Sequence, residues 1–201
     1  MRPGEALHRA GDDGARRARR YLESTTRVKT VWLNTDPYQA GRLTFKWPHD
    51  PGTYSFDLGG VFHEGDLDRQ HFAAESKAYT NNQNHQATEF RTFLAGCYCV
   101  DLAQPMLYQH YMWLTSHPFS VDDWSRLCRP DWIIKSLLQE RARALGAQDE
   151  AAARSKINMD LVEALSKKLW LTLIPDRHEE LSITKSNRAL IMSRAVEEET
   201  L

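Results

Sequence analysis

Residues 70–79 read Gln70-His71-Phe72-Ala73-Ala74-Glu75-Ser76-Lys77-Ala78-Tyr79. The run predicts a strand, and because side chains alternate across a strand, Ala73, Glu75 and Lys77 share one face. An acid and a base two residues apart on such an element aim at one point, so a charged site is expected there.

Working outward toward the N-terminus, the loop His63-Glu64-Gly65-Asp66-Leu67-Asp68-Arg69 is polar and acidic. Its spacings match no zinc or calcium motif, and it is expected to be a mobile loop beside the site. Before it stand two strand-like runs, Arg42 to Trp47 and Tyr54 to Phe62. The reversal signal His49-Asp50-Pro51-Gly52 separates them, so they predict a hairpin. In Thr53-Tyr54-Ser55-Phe56-Asp57-Leu58, alternation puts Tyr54, Phe56 and Leu58 on one face and projects Asp57 from the other. Further back, Val31-Trp32-Leu33 leads into the turn Asn34-Thr35-Asp36-Pro37, and Ala15 to Glu23 has helical spacing of Ala18, Tyr21 and Leu22.

Toward the C-terminus, Asn81-Asn82-Gln83-Asn84 reads as a polar loop and about Ala87 to Leu102 as a helix closed by Pro105. Gln109 to Phe119 is apolar on both faces, which suits a central strand. Ser120 and Asp123 form a capping-box-like pair opening a helical region interrupted near Pro130, and Trp132 to Leu145 predicts a helix stopped at Gly146. Asp160 to Ile174 reads as helical or mixed, ending at Pro175-Asp176, and Ala189 to Glu199 as a polar helix. The chain has no internal repeat and no low-complexity tract. The expected class is α/β, with a central mixed sheet of about four to five strands flanked by helices and a mainly helical C-terminal extension. Residues 1–148 form the expected core domain, and 149–201 an extension packed on that core or on a partner.

Composition narrows the function. The 201 residues are 41% hydrophobic and 26% charged, as in a globular protein, and no run approaches the roughly 18 apolar residues a membrane span needs. The first twenty residues lack the apolar stretch of a secretory signal, and three sparse cysteines argue against a disulfide framework, so a cytoplasmic, reducing compartment is expected. Cys97 and Cys99, two apart on a helix, point to opposite sides and read as small buried hydrophobes. Six tryptophans suggest a core role for most and an interface for any exposed subset. A net charge of -1 excludes a wholly basic nucleic-acid binder. Contact with DNA would be local, and Arg16, Arg17, Arg19 and Arg20 form the visible patch, which reads equally as a solvated helix face.

The order helix, hairpin carrying Asp57, strand carrying Glu75-Ser76-Lys77, helix, strand, helix resembles the PD-(D/E)xK nuclease superfamily. Residues 58–74 separate the Asp from the ExK tripeptide. The passage Leu114-Thr115-Ser116-His117-Pro118-Phe119-Ser120 resembles the strand-to-helix passage of its Mrr-like restriction members. The likeness spans roughly Ala15 to Leu145. Residue 56 is Phe, where the family name has Pro. The resemblance implies a restriction-endonuclease-like core and a Mg²⁺-dependent endodeoxyribonuclease, Mn²⁺ able to substitute, in restriction, anti-phage defence or a mobile element. It makes Asp57 and Glu75 the metal ligands, with the carbonyl of Ser76, and gives Lys77 the attacking water or the developing charge. Glu23 either joins the metal site, as a first-helix acid does in similar nucleases, or is an exposed helical glutamate. Gln83 and Gln86 either contact substrate or serve as loop and N-cap polar groups, and His117 either touches DNA or is a hydrogen-bonded structural histidine. The competing reading is a non-catalytic nuclease-fold subunit that binds nucleic acid or assembles a larger complex, with the C-terminal region as its partner surface. A homodimer is expected for a duplex cutter and a monomer for a nickase.

Overall fold

The computed structural model describes residues 3–77 and 83–174, with 177, 184, 186, 187, 189–191, 193 and 194 beyond them. In chain order the elements are α1 (Pro3–Thr25), β1 (Val28–Leu33), α2 (Ala40–Leu43), β2 (Thr44–Lys46), β3 (Thr53–Ser55), β4 (Leu58–Phe62) and β5 (His71–Lys77). There follow α3 (Gln83–Ala103), β6 (His110–Thr115), α4 (Pro130–Gln139), α5 (Arg141–Leu145), α6 (Glu150–Lys156), α7 (Met159–Lys168) and β7 (Leu169–Leu173).

Five strands form one mixed sheet in the order β1-β4-β5-β6-β7. The first three are antiparallel neighbours, while β5, β6 and β7 run parallel. The fold is α/β with helices on both faces. Alternation along β5 and β6 divides the core in two. Phe72, Ala74, Met112 and Leu114 face α1 and meet its Ala15, Ala18 and Leu22. Ala73, Tyr111 and Trp113 face the opposite way, into a larger core built by α3 to α7 with Phe90, Phe93, Ile133 and Leu165. β6 is apolar on both faces, as its sequence predicts, because it lies between two layers.

Several elements depart from the sequence reading. The helix expected over Ala15 to Glu23 begins at Pro3, because glycines 4, 11 and 14 lower helix propensity without breaking a helix. Val28–Leu33 is an edge strand and not merely a lead-in to a turn. The expected hairpin between Arg42 to Trp47 and Tyr54 to Phe62 is a small separate sheet of β2 and β3, in register Thr44↔Ser55 to Lys46↔Thr53. Its second strand is broken at Phe56-Asp57. Phe56 sits in the core on the α3 side and Leu58 in the core against α1, so the single apolar row of the prediction does not run through Asp57. Gly59 sits at the crossing. A Cβ there would meet Leu43 Cδ2 at 2.9 Å and the Phe72 carbonyl at 3.0 Å. Ser120 makes no side-chain cap, has a left-handed backbone and precedes a 3-10 turn over Val121–Arg126. The helix expected over Trp132 to Leu145 is two helices parted at Glu140, and the second stops at Gly146, whose φ is 59°.

Within residues 149–201, α6 and α7 are capped by the side chains of Asp149 and Asn158. β7 extends the main sheet beside β6. Tyr79, Asn81, Asn82 and Pro175-Asp176 lie outside the described residues, as does much of the expected helix over Ala189 to Glu199; its described positions are helical and exposed. Cys97 and Cys99 are buried free thiols. Among the tryptophans, Trp47, Trp113 and Trp132 are core, while Trp170 on β7 is 42% exposed. Among the described residues no helix is long and apolar enough to cross a membrane.

Candidate active site

Asp57 occupies the break before β4. Its N–H donates to the Ala74 carbonyl at 3.0 Å, and its own carbonyl accepts from the Asn34 N–H at 2.9 Å. Its Oδ2 accepts from the Ser76 N–H at 2.9 Å, so the carboxylate is held against the end of β5. Glu75 and Lys77 project from β5 on the α3 side, two residues past Ala73. Lys77 Nζ lies 2.8 Å from Glu75 Oε1 and 3.2 Å from Glu89 Oε2, which reaches over from α3. His85, one turn earlier on α3, places Nε2 3.0 Å from Glu89 Oε1. Beneath them Trp113 is fully buried, paired with Glu75 across β5 and β6, and Lys77 Nζ is 5.8 Å from its ring centre. The cluster opens into a cleft of about 190 Å³ whose walls include Tyr54, Ser55, Phe56, Thr92 and Phe93.

Aromatic walls and crowded charge set the electrostatics. Burial, followed by repulsion from Asp57, pushes the Glu75 carboxyl up to about 8, although Lys77 opposes the rise. Burial alone would lower the Lys77 ammonium; Glu75, Asp57 and Glu89 outweigh it and hold the group above its ordinary value. Lys77 is thus shared by Glu75 and Glu89, with Asp57 acting on both charges and His85 set against Glu89, in a partly dry cleft.

The other predicted residues divide. Ser76 turns its hydroxyl to the α1 side, where Oγ donates to the Gly14 carbonyl at 3.3 Å. Its carbonyl leaves the strand on the same edge as its N–H, the edge on which Asp57 sits. Gln86 is buried and donates through Nε2 to the Thr115 hydroxyl. That hydroxyl in turn donates to the His117 carbonyl at 2.9 Å, and Thr115 is the register partner of Lys77. Gln86 and the His117 backbone thus brace the strand end beside the site. Gln83 opens α3, and its side chain lies outside the description.

Glu23 is not brought to the cluster. It accepts from Arg19 Nε at 3.0 Å and lies nine residues along α1 from Gly14, about 13 Å of helix rise. Arg16 and Arg20 are exposed and Arg17 and Arg19 half-buried on α1, with the sheet between that helix and the Glu75 cleft. The acidic loop before β5 is at the far end of the strand, about 20 Å from Lys77, and not beside the site. Sequence reasoning missed Glu89 and His85. Their signal was an i, i+4 pair on the helix after the ExK strand, legible only once that helix is known to fold back over β5.

No protein-family model, curated protein or solved structure matches the chain. The donor set carries the chemical reading. Among the described residues no group of three or more His, Cys, Asp or Glu side chains is placed to hold an ion. Two carboxylates and a backbone carbonyl remain, all hard oxygens, and such a set suits a cation that keeps several of its waters. Burial first, and then repulsion from Asp57, raise the Glu75 carboxyl, and a divalent cation there would oppose the second of these.

Proposed function

We propose that this chain is a metal-dependent nuclease that hydrolyses DNA phosphodiester bonds, built on a restriction-endonuclease-like core of the PD-(D/E)xK type. One observation carries the reading: Asp57, Glu75 and Lys77, from separate positions in the sequence, converge at one end of β4 and β5, and Glu75 and Lys77 line a cleft there. The succession of α1, Asp57 before β4, the ExK strand β5, α3, β6 and α4 also supports it, although the hairpin of the resemblance is here the separate β2–β3 sheet.

Asp57 and Glu75, with the Ser76 carbonyl, would hold Mg²⁺, with Mn²⁺ as substitute. The bound ion supplies positive charge to the phosphoryl oxygens and acidifies a water. Lys77 offers a donor and a fixed positive charge where charge builds at phosphorus. Glu89 positions that ammonium, and Trp113, Phe56 and Phe93 limit the water that would screen it. Restriction, anti-phage defence or a mobile element is the setting the resemblance suggests. A homodimer is the form proposed for a duplex cutter, with the C-terminal region as a protein-partner surface.

A non-catalytic nucleic-acid-binding or assembly subunit is the second reading. It is favoured by Lys77 being bonded to two carboxylates, which occupy two of its three donors and offset its charge. Supercoiled plasmid and labelled single-stranded DNA, incubated with Mg²⁺, Mn²⁺ or EDTA, separate the two. The nuclease reading expects metal-dependent cutting that is lost in Glu75→Ala and Lys77→Ala; no cutting by the folded, metal-supplied chain favours the binding module.

A further inference from the structure

A second cleft, about 300 Å³, opens on the other side of the β2–β3 hairpin from the first. Thr44 lines it and Ser55 lines the Glu75 cleft, and their hydroxyls lie 2.9 Å apart across that hairpin; farther in, the second cleft reaches His71, at the opposite end of β5 from Lys77. The nuclease reading makes no use of it.

Its walls are aromatic and held in place. Tyr108 is buried and its hydroxyl donates to the Arg42 carbonyl at 2.7 Å, and Phe45 meets it edge-on with ring centres 6.3 Å apart. Trp32 forms the other side, with the His71 ring against it at 6.0 Å and 78°. At the mouth the exposed Arg42 carries its guanidinium 5.4 Å from the Trp32 ring centre. Gln104 and His71 add exposed polar groups to the rim.

Rigid rings with polar groups at the edge suit a planar heteroaromatic ligand. A guanidinium stacked at the entrance suits an anion attached to it, because its planar fork matches phosphate oxygens. The volume is at the small end of ligand sites and fits one nucleoside rather than a duplex. We propose that this cleft takes a single nucleotide of a nucleic-acid strand, its base against Trp32, Phe45 and Tyr108 and its phosphate on Arg42. The proposal rests on the nuclease reading for the source of that nucleotide, a single strand that runs on past the hairpin toward Glu75 and Lys77.

The test is binding of the full chain, in EDTA so that no cleavage intervenes, to a short labelled oligodeoxynucleotide and to an abasic strand of the same length, with free dAMP as a third arm. The base-bearing strand is expected to bind about 10-fold more tightly than the abasic one. Trp32→Leu abolishes that preference, and Arg42→Ala, at an exposed position that leaves the fold intact, weakens both strands alike. Equal affinity for the two strands, or a preference untouched by Trp32→Leu in a protein with native circular dichroism, overturns the proposal. Binding of dAMP as tight as that of the strand also overturns it, by making the cleft a site for free nucleotide. Plasmid cleavage in Mg²⁺, scored separately, keeps the two readings apart: cutting without base preference removes the cleft proposal alone, and base preference without cutting removes the nuclease reading alone.

Discussion

Asp101 and Glu75 each hold a lysine ammonium at 2.8 Å, Asp101 through Lys168 and Glu75 through Lys77. Burial raises both carboxyls above their ordinary range. Around Asp101 the protein supplies a donor for each oxygen, Tyr111 Oη to Oδ1 at 2.8 Å and Lys168 Nζ to Oδ2 at 2.8 Å. That pair ties α3 to β6 and to the end of α7, and its charges balance. Around Glu75 one ammonium serves Glu75 and Glu89 while Asp57 adds a further negative charge, and the group faces a cleft. A buried ion pair whose oxygens all have donors holds elements together; a cluster that shares one ammonium at a cleft is where the proposed cation would sit.

The largest effects should separate the two by kind. Lys77→Ala is expected to lower DNA cleavage at least about 100-fold, since it removes a charge needed as the transition state forms. Its far-UV circular dichroism should stay native. Lys168→Ala is expected to do the reverse. It should leave Asp101 buried with one donor, cost about 3 kcal/mol in urea unfolding, and leave cleavage per folded molecule unchanged. Loss of cleavage from Lys168→Ala at full stability would erase the distinction.

pH gives the next contrast. An unfolded glutamate titrates near 4.5 and the native Glu75 carboxyl near 8, so the native state keeps a proton that the unfolded state releases. The stability this contributes is full below about 4.5 and is lost as pH rises to about 8. Without metal, Glu75→Gln should therefore gain stability over the native chain as pH climbs through that window. Asp101 contributes a loss of the same sign, and metal tells them apart. Saturating Mg²⁺ should restore stability at pH 8 in the native chain and in Asp101→Asn, but not in Glu75→Gln, as measured by thermal melts.

Smaller changes sharpen the edges of the site. Glu89→Gln removes a charge beside Lys77 but keeps an acceptor for it, so cleavage should shift less than in Lys77→Ala, by at most about 5-fold. Smallest of all, Glu23→Ala and the pair Arg16→Ala with Arg20→Ala should leave cleavage within about two-fold. The arginine pair should lower the salt dependence of DNA binding by no more than about two units of slope. A larger loss would place DNA on the α1 face.

How much of this was legible in the sequence follows from how local each feature is. β5 and β6 were readable because a two-residue alternation and an apolar run record their own faces, and with them came Glu75, Ser76 and Lys77. Asp57 was found for a reason only partly right, since the strand carrying it breaks there; the bond from the Ser76 N–H, nineteen positions on, orients it. The edge strand β1 escaped because only Val31, Trp32 and Leu33 stood out. Parallel pairing of β7 with β6 needs a crossover of more than fifty residues, which no local pattern records. Glu89 and the aromatic second cleft are assembled from α2, β1, β2, β5 and α3, so they appear only in three dimensions.

The decisive measurement is Mn²⁺ binding to the full chain by electron paramagnetic resonance, comparing the native protein with Asp57→Asn, Glu75→Gln and Asp101→Asn. The account predicts binding in the native chain and in Asp101→Asn, and its loss in both Asp57→Asn and Glu75→Gln. Mn²⁺ binding unchanged by Asp57→Asn and Glu75→Gln, or absent from the native chain, would contradict it.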